Sequence, residues 1–100
     1  MASGIPIDRR ELIKLCRKHH ISRLSLFGSV LRDDFQPGSD VDVLVEFEPE
    51  HVPGFIGLHG IEKELSTLLG REVDLVTPKA LNPRIRSRVL AEAEVQYAQG

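Results

Sequence analysis

The stretch LFGSVLRDDFQPGSDVDVLVEF, Leu26 to Phe47, sets two carboxylates, Asp40 and Asp42, among valines and leucines. Acids in apolar surroundings are costly unless something neutralises them. They interleave with Val41, Val43 and Val45, so on a strand both acids leave one face and the valines the other. A third acid, Asp74, stands between Val73 and Leu75 in the same pattern. If those two apolar residues face the same layer as the valines, Asp74 joins Asp40 and Asp42 on the open face. Adjacent strands lie about 4.8 Å apart, so the three carboxylates would converge. Converging carboxylates repel, and a hard divalent ion such as Mg²⁺ suits their oxygens, its shell completed by water and substrate phosphates. Asp40 and Asp42 would hold two such ions. Asp74 could share the second and take a proton from an attacking hydroxyl.

The Gly28-Ser29 pair supplies a complementary chemistry. Glycine lets a phosphate approach the backbone closely, and Ser29 with the amides of the following turn can donate to phosphate oxygens. Ser39 adds a hydroxyl beside the acidic pair. Arg32, one helical turn beyond Ser29, is placed to reach phosphate or to pair with a nearby acid. A nucleoside triphosphate with bound magnesium would therefore neutralise the acids.

These residues need a scaffold. Asp8 reads as a helix cap with Glu11 three positions on, and Ile7 and Leu12 form a staple across the start. Leu12, Leu15 and Cys16 give that helix an inward stripe, ending near His19 or His20. Arg23 to Phe27 reads as a strand broken by Gly28. Ser29 to Asp33 can make a turn of helix, and Gln36-Pro37-Gly38 a turn. Val41 to Phe47 alternates as a strand. A second long helix is expected from Pro53 or Phe55 to Leu69, with Phe55, Leu58, Ile61, Leu65, Leu68 and Leu69 on its buried side and Gly70 as its stop. Glu72 to Thr77 is a third strand. Asn82-Pro83 opens a last helix to about Glu92, followed by a short strand at Val95 to Tyr97. The alternation predicts a small mixed α/β sheet with helices mainly on one face.

One hundred residues, 41% of them hydrophobic, suit a single domain over 1–100 with one core. No repeat, low-complexity tract or linker divides the chain. A formal net charge of −2 provides no basic field to recruit nucleic acid. The single cysteine, Cys16, excludes an intrachain disulfide and fits a reducing cytoplasm. Neither a signal peptide nor an apolar run of spanning length is evident.

The order strand, Gly28-Ser29, ten residues, Asp40-Val41-Asp42, then Asp74 on the next strand resembles the polymerase-β-like nucleotidyltransferases, in particular the minimal branch. The resemblance covers roughly Ile7 to Tyr97 and implies that family's fold. It implies transfer of a nucleoside monophosphate from a triphosphate, ATP, with release of pyrophosphate. Asp40, Asp42 and Asp74 would be its metal-binding catalytic acids, and Gly28 and Ser29 its triphosphate contacts. Minimal members are commonly paired with a HEPN-domain protein. In several such pairs the HEPN chain is a toxic ribonuclease, and the nucleotidyltransferase is an antitoxin that attaches AMP to one of its tyrosines. Larger relatives carry a further domain to hold their acceptors, and a 100-residue chain has no room for one, so a partner protein is the expected acceptor.

Two rival readings are an antitoxin acting by occlusion without catalysis, and a subunit modifying a small molecule or an RNA end. The four histidines, His19, His20, His51 and His59, show no zinc-ligand spacing, and surface roles are expected for them. Arg84, Arg86 and Arg88 read as a solvated basic face of the last helix, and Tyr97 as packing at a sheet edge.

Overall fold

The computed structural model describes residues 7–28 and 40–99. Helix α1 (Arg9–Lys18) begins where the Asp8 carboxylate accepts hydrogen bonds from the Arg10 and Glu11 amides, at 3.1 and 3.2 Å. Its Leu12, Leu15 and Cys16 are buried, as their spacing predicts. The chain leaves the helix through His19 and a left-handed His20 (φ 57°) and enters β1 (Ile21–Phe27), two residues earlier than the sequence pattern suggests.

Strand β2 (Val41–Phe47) pairs antiparallel with β1, and α2 (Phe55–Leu69) follows a 3₁₀ turn at Pro49–His51. Gly70, at φ 68°, stops α2 in the left-handed region that favours glycine. Strand β3 (Val73–Val76) then pairs parallel with β2. A second 3₁₀ turn (Pro78–Ala80) leads to α3 (Pro83–Glu92), which Asn82 caps by accepting from the Arg84 amide. Strand β4 (Glu94–Ala98) pairs antiparallel with β1. The order across the sheet is β3-β2-β1-β4, a mixed four-stranded sheet with three α-helices among the described residues.

The core lies between the sheet and α1 and α2. Leu24 and Leu26 of β1, Val41, Val43 and Val45 of β2, and Val73 of β3 meet Leu12, Leu15, Cys16, Ile61 and Leu65. Burial pushes the Cys16 thiol up to about 12, so this cysteine is an inert packing group. Tyr97 packs against the core from β4, at the sheet edge. Leu44 alternates with the core valines and so leaves the other face, yet it is only 2% exposed. The link from β3 to β4 joins opposite edges of the sheet, its 3₁₀ turn touches β2, and Leu81 just beyond is also buried.

Two expectations change. Phe55 and its neighbour Ile56 are 94% and 92% exposed, although Phe55 was placed on the buried side of α2. Ser66 of α2 meets Val73, and Glu62 meets Leu75. One more helical turn brings Leu58 level with the end of β3, and Phe55 projects past it. Arg86 is not simply solvated either. Its guanidinium donates to the carbonyls of Pro78 (2.9 Å) and Leu81 (3.1 Å), closing the turn before α3.

Candidate active site

Strand pairing decides where the acids meet. In β2 and β3, Asp42 and Asp74 are direct partners in a parallel register, flanked by the pairs Val41–Val73 and Val43–Leu75. The flanking valines point into the core, so both acids leave the opposite face. Asp40, two residues before Asp42, shares that face, and the adjoining Val41 amide donates to the Glu72 carbonyl at 2.8 Å. Asp40, Asp42 and Asp74 thus leave the same face of the sheet, close enough for the charges of Asp74 and Asp40 to act on Asp42.

Asp40 and Asp74 are exposed, whereas Asp42 is partly buried between β1 and β3. Burial, then the neighbouring charges of Asp74 and Asp40, raise the Asp42 carboxyl above its ordinary value of 3.8. All three causes oppose its negative charge, and a cation among the three carboxylates would relieve them. The donors are all carboxylate oxygens on an accessible face, which fits a hard divalent ion that keeps water or phosphate in its shell.

Gly28 closes the site from the β1 side. Phe27 pairs with Asp42, and Gly28 follows at φ 77°. A Cβ on Gly28 would run into Asp42 Oδ2 and come within 3.2 Å of its Cγ. The sequence pattern offered this glycine as room for phosphate. In the fold the vacated space holds the Asp42 carboxylate, so the glycine and the acid require one another. Ser29, Arg32 and Ser39, together with the expected 29–33 helical turn and the Gln36-Pro37-Gly38 turn, lie outside the described residues.

Two further side chains set the position of Asp74 and went unnoticed in the sequence. The amides on either side of it, Val73 and Leu75, donate to Ser66 Oγ (3.1 Å) and Glu62 Oε2 (2.9 Å) of α2. Ser66 Oγ in turn donates to the Glu62 carbonyl at 2.9 Å. Helix α2 thereby supplies the acceptors that edge strand β3 lacks on its outer side, fixing the strand whose middle carries the acid. Their signal was the four-residue spacing of two polar groups on the apolar side of α2.

The fold and the acid cluster together define a nucleotidyl-transfer scaffold. Residues 9–95 match the nucleotidyltransferase domain family, and the chain belongs to it. A Methanocaldococcus jannaschii relative named as a protein adenylyltransferase is 36% identical over 85 residues, covering 85% of this chain and 89% of the relative. The protein adenylyltransferase MntA of Thermococcus cleftensis is 35% identical over 79 residues, covering 79% of this chain and 78% of the relative. Among solved structures, one described as a minimal nucleotidyltransferase superposes with a TM-score of 0.70 at 38% identity, covering 85% of both chains. A toxin–antitoxin complex with AMP-PNP aligns at a TM-score of 0.74 and 21% identity, over 93% of this chain and 75% of that one, a likeness of fold. No described helix is long and apolar enough to cross a membrane.

Proposed function

We propose that this chain is a protein adenylyltransferase that moves AMP from ATP to a tyrosine hydroxyl of a HEPN-type toxin and so silences it as its antitoxin. The observation that carries the reading is the in-register Asp42–Asp74 pair with Asp40 beside it, facing the Gly28 turn. The curated relatives support the protein acceptor through their names. The solved neighbours include a Shewanella oneidensis complex of a tri-AMPylated HEPN toxin with its MNT antitoxin.

In this reading Asp40 and Asp42 hold magnesium, with Asp74 completing the set, and Gly28, Ser29, Ser39 and Arg32 hold the triphosphate. Bound magnesium would supply positive charge against the polyphosphate and the carboxylates. Asp74, exposed at the edge strand, accepts the proton of the attacking hydroxyl. The acceptor oxygen bonds to the α-phosphorus, the bond to the β-phosphate oxygen breaks, and pyrophosphate leaves. Asp42, packed against Gly28, fixes the distance between the carboxylates and the backbone turn.

Label transfer tests it. Wild-type chain, magnesium and ATP labelled at the α-phosphate should label a HEPN-type protein encoded beside it, and Asp40→Asn/Asp42→Asn should abolish the labelling. Equal labelling by that double variant would defeat the reading. If the variant fails to label yet still protects cells from the toxin, occlusion suffices.

A further inference from the structure

We propose that His20, Glu48 and His51 form a second metal site, selective for a borderline transition ion of the Zn²⁺ type and remote from the acid trio. One ligand atom from each residue lies within 4.8 Å of the others. The residues come from two separate stretches, which is why no ligand spacing appears in the sequence. His20 follows α1, while Glu48 and His51 frame the 3₁₀ turn after β2.

Backbone hydrogen bonds stitch the three together. The Glu48 amide donates to the His20 carbonyl at 2.9 Å, and the His51 amide donates to the Glu48 carbonyl at 2.9 Å. The left-handed conformation of His20 turns its ring onto that of His51, the centroids 3.7 Å apart and the planes 10° from parallel. His20 Nδ1 stands 3.7 Å from Glu48 Oε2, and that oxygen accepts from Gln99 Nε2 at 3.1 Å. An outer group that orients a ligating carboxylate is a regular companion of metal sites.

Zinc–nitrogen bonds of about 2.0–2.1 Å in a tetrahedron place donors roughly 3.3 Å apart. To bind one ion the two rings must leave their parallel stack so that both nitrogen lone pairs meet, and the exposure of His20 and His51, with Glu48 only partly buried, leaves room for that turn. Two imidazoles and one carboxylate leave a fourth position open to water or to an incoming ligand. Nitrogen donors separate this site from the all-oxygen trio, which suits magnesium. Phe27 pairs with Asp42 at one end of β1 and Ile21 with Phe47 at the other. The two sites therefore stand at opposite ends of the sheet, about 20 Å apart at 3.3 Å per residue.

The test is Zn²⁺ titration of the metal-stripped full chain in excess Mg²⁺, which occupies the acid trio. One equivalent is expected to bind. His51→Gln, Glu48→Gln and His20→Asn should each weaken binding about tenfold or more, while His59→Gln and Asp40→Asn/Asp42→Asn should leave it unchanged. Asparagine is chosen at position 20 because it tolerates the left-handed conformation. Co²⁺ should give the intense visible absorption of a tetrahedral site in wild type and lose it in His51→Gln. Zn²⁺ affinity unaltered by those three substitutions, or a loss that follows the aspartates instead, would overturn the site. Melting of each variant without metal confirms that the fold is intact.

Discussion

At the scale of single residues, the proposed active centre rests on the close fit of Gly28 against the Asp42 carboxylate. Gly28→Ala forces a left-handed alanine, at about 1–2 kcal/mol, and drives a methyl into the Asp42 carboxylate. Its melting temperature should fall and label transfer should fail, even though no acid has been changed. Asp42 itself carries a pH signature. Its raised pKa means that the native state holds the proton more tightly than the unfolded chain. Metal-free stability should therefore decline as pH climbs from the ordinary value of 3.8 through the raised one, and stay lowered above it. Asp42→Asn should remove that decline and melt higher than wild type at pH 7 in EDTA. A steeper decline in the variant would refute the assignment.

At the scale of elements, the positioning of Asp74 belongs to α2. Glu62→Ala leaves the Leu75 amide without its acceptor, which costs about 1–3 kcal/mol for a buried group. Hydrogen exchange at Leu75 should accelerate, and transfer should slow while Asp40 and Asp42 remain in place. Glu62→Gln retains an acceptor oxygen and should recover most of both. Glu64, two residues on, ties α2 to the end of α1 through Lys18 Nζ (2.6 Å) and His19 Nε2 (2.9 Å). The Lys18 hydrogen bond leads in lowering the Glu64 carboxyl, against a smaller opposing effect of burial, with His19 adding to the lowering. This contact supports the fold above the ordinary carboxylate range and is lost as pH falls through the lowered value, a slope opposite to that of Asp42.

Much of this was legible from the chain because it is local. Asp8, Gly70 and Asn82-Pro83 mark helix ends by chemistry that acts within a turn, and each acts as read. The phase of Val41-Asp42-Val43 against Val73-Asp74-Leu75 was enough to put the acids on one face. What was hidden is non-local. The exposure of Phe55 depends on where a strand fifteen or more residues later stops, and the carbonyls that Arg86 reaches are presented by the turn before its own helix. The demand for glycine at position 28 comes from a carboxylate one strand away.

At the scale of the whole molecule, a formal charge of −2 is spread over a body whose acid cluster sits at one end of the sheet. Magnesium binding there should stabilise the native state by mass action, by about 2.7 kcal/mol at a hundredfold excess over Kd. Differential scanning fluorimetry should show a magnesium-dependent rise for wild type that Asp40→Asn/Asp42→Asn lacks. An equal rise in both would place the ion elsewhere.

The parallel pairing of β2 with β3 also sets a timetable. During synthesis β1 and β2 can zip together once residue 47 has emerged, with Asp40 and Asp42 already side by side. Asp74 cannot arrive until α2 has formed and carried the chain back along the sheet, and the other side of β1 waits for residues 94–98. Such distant pairings are slow to close. In a refolding experiment, competence to label a partner should therefore appear after the bulk of helical signal, because the acid set is completed by the delivery of a single residue from a distant strand.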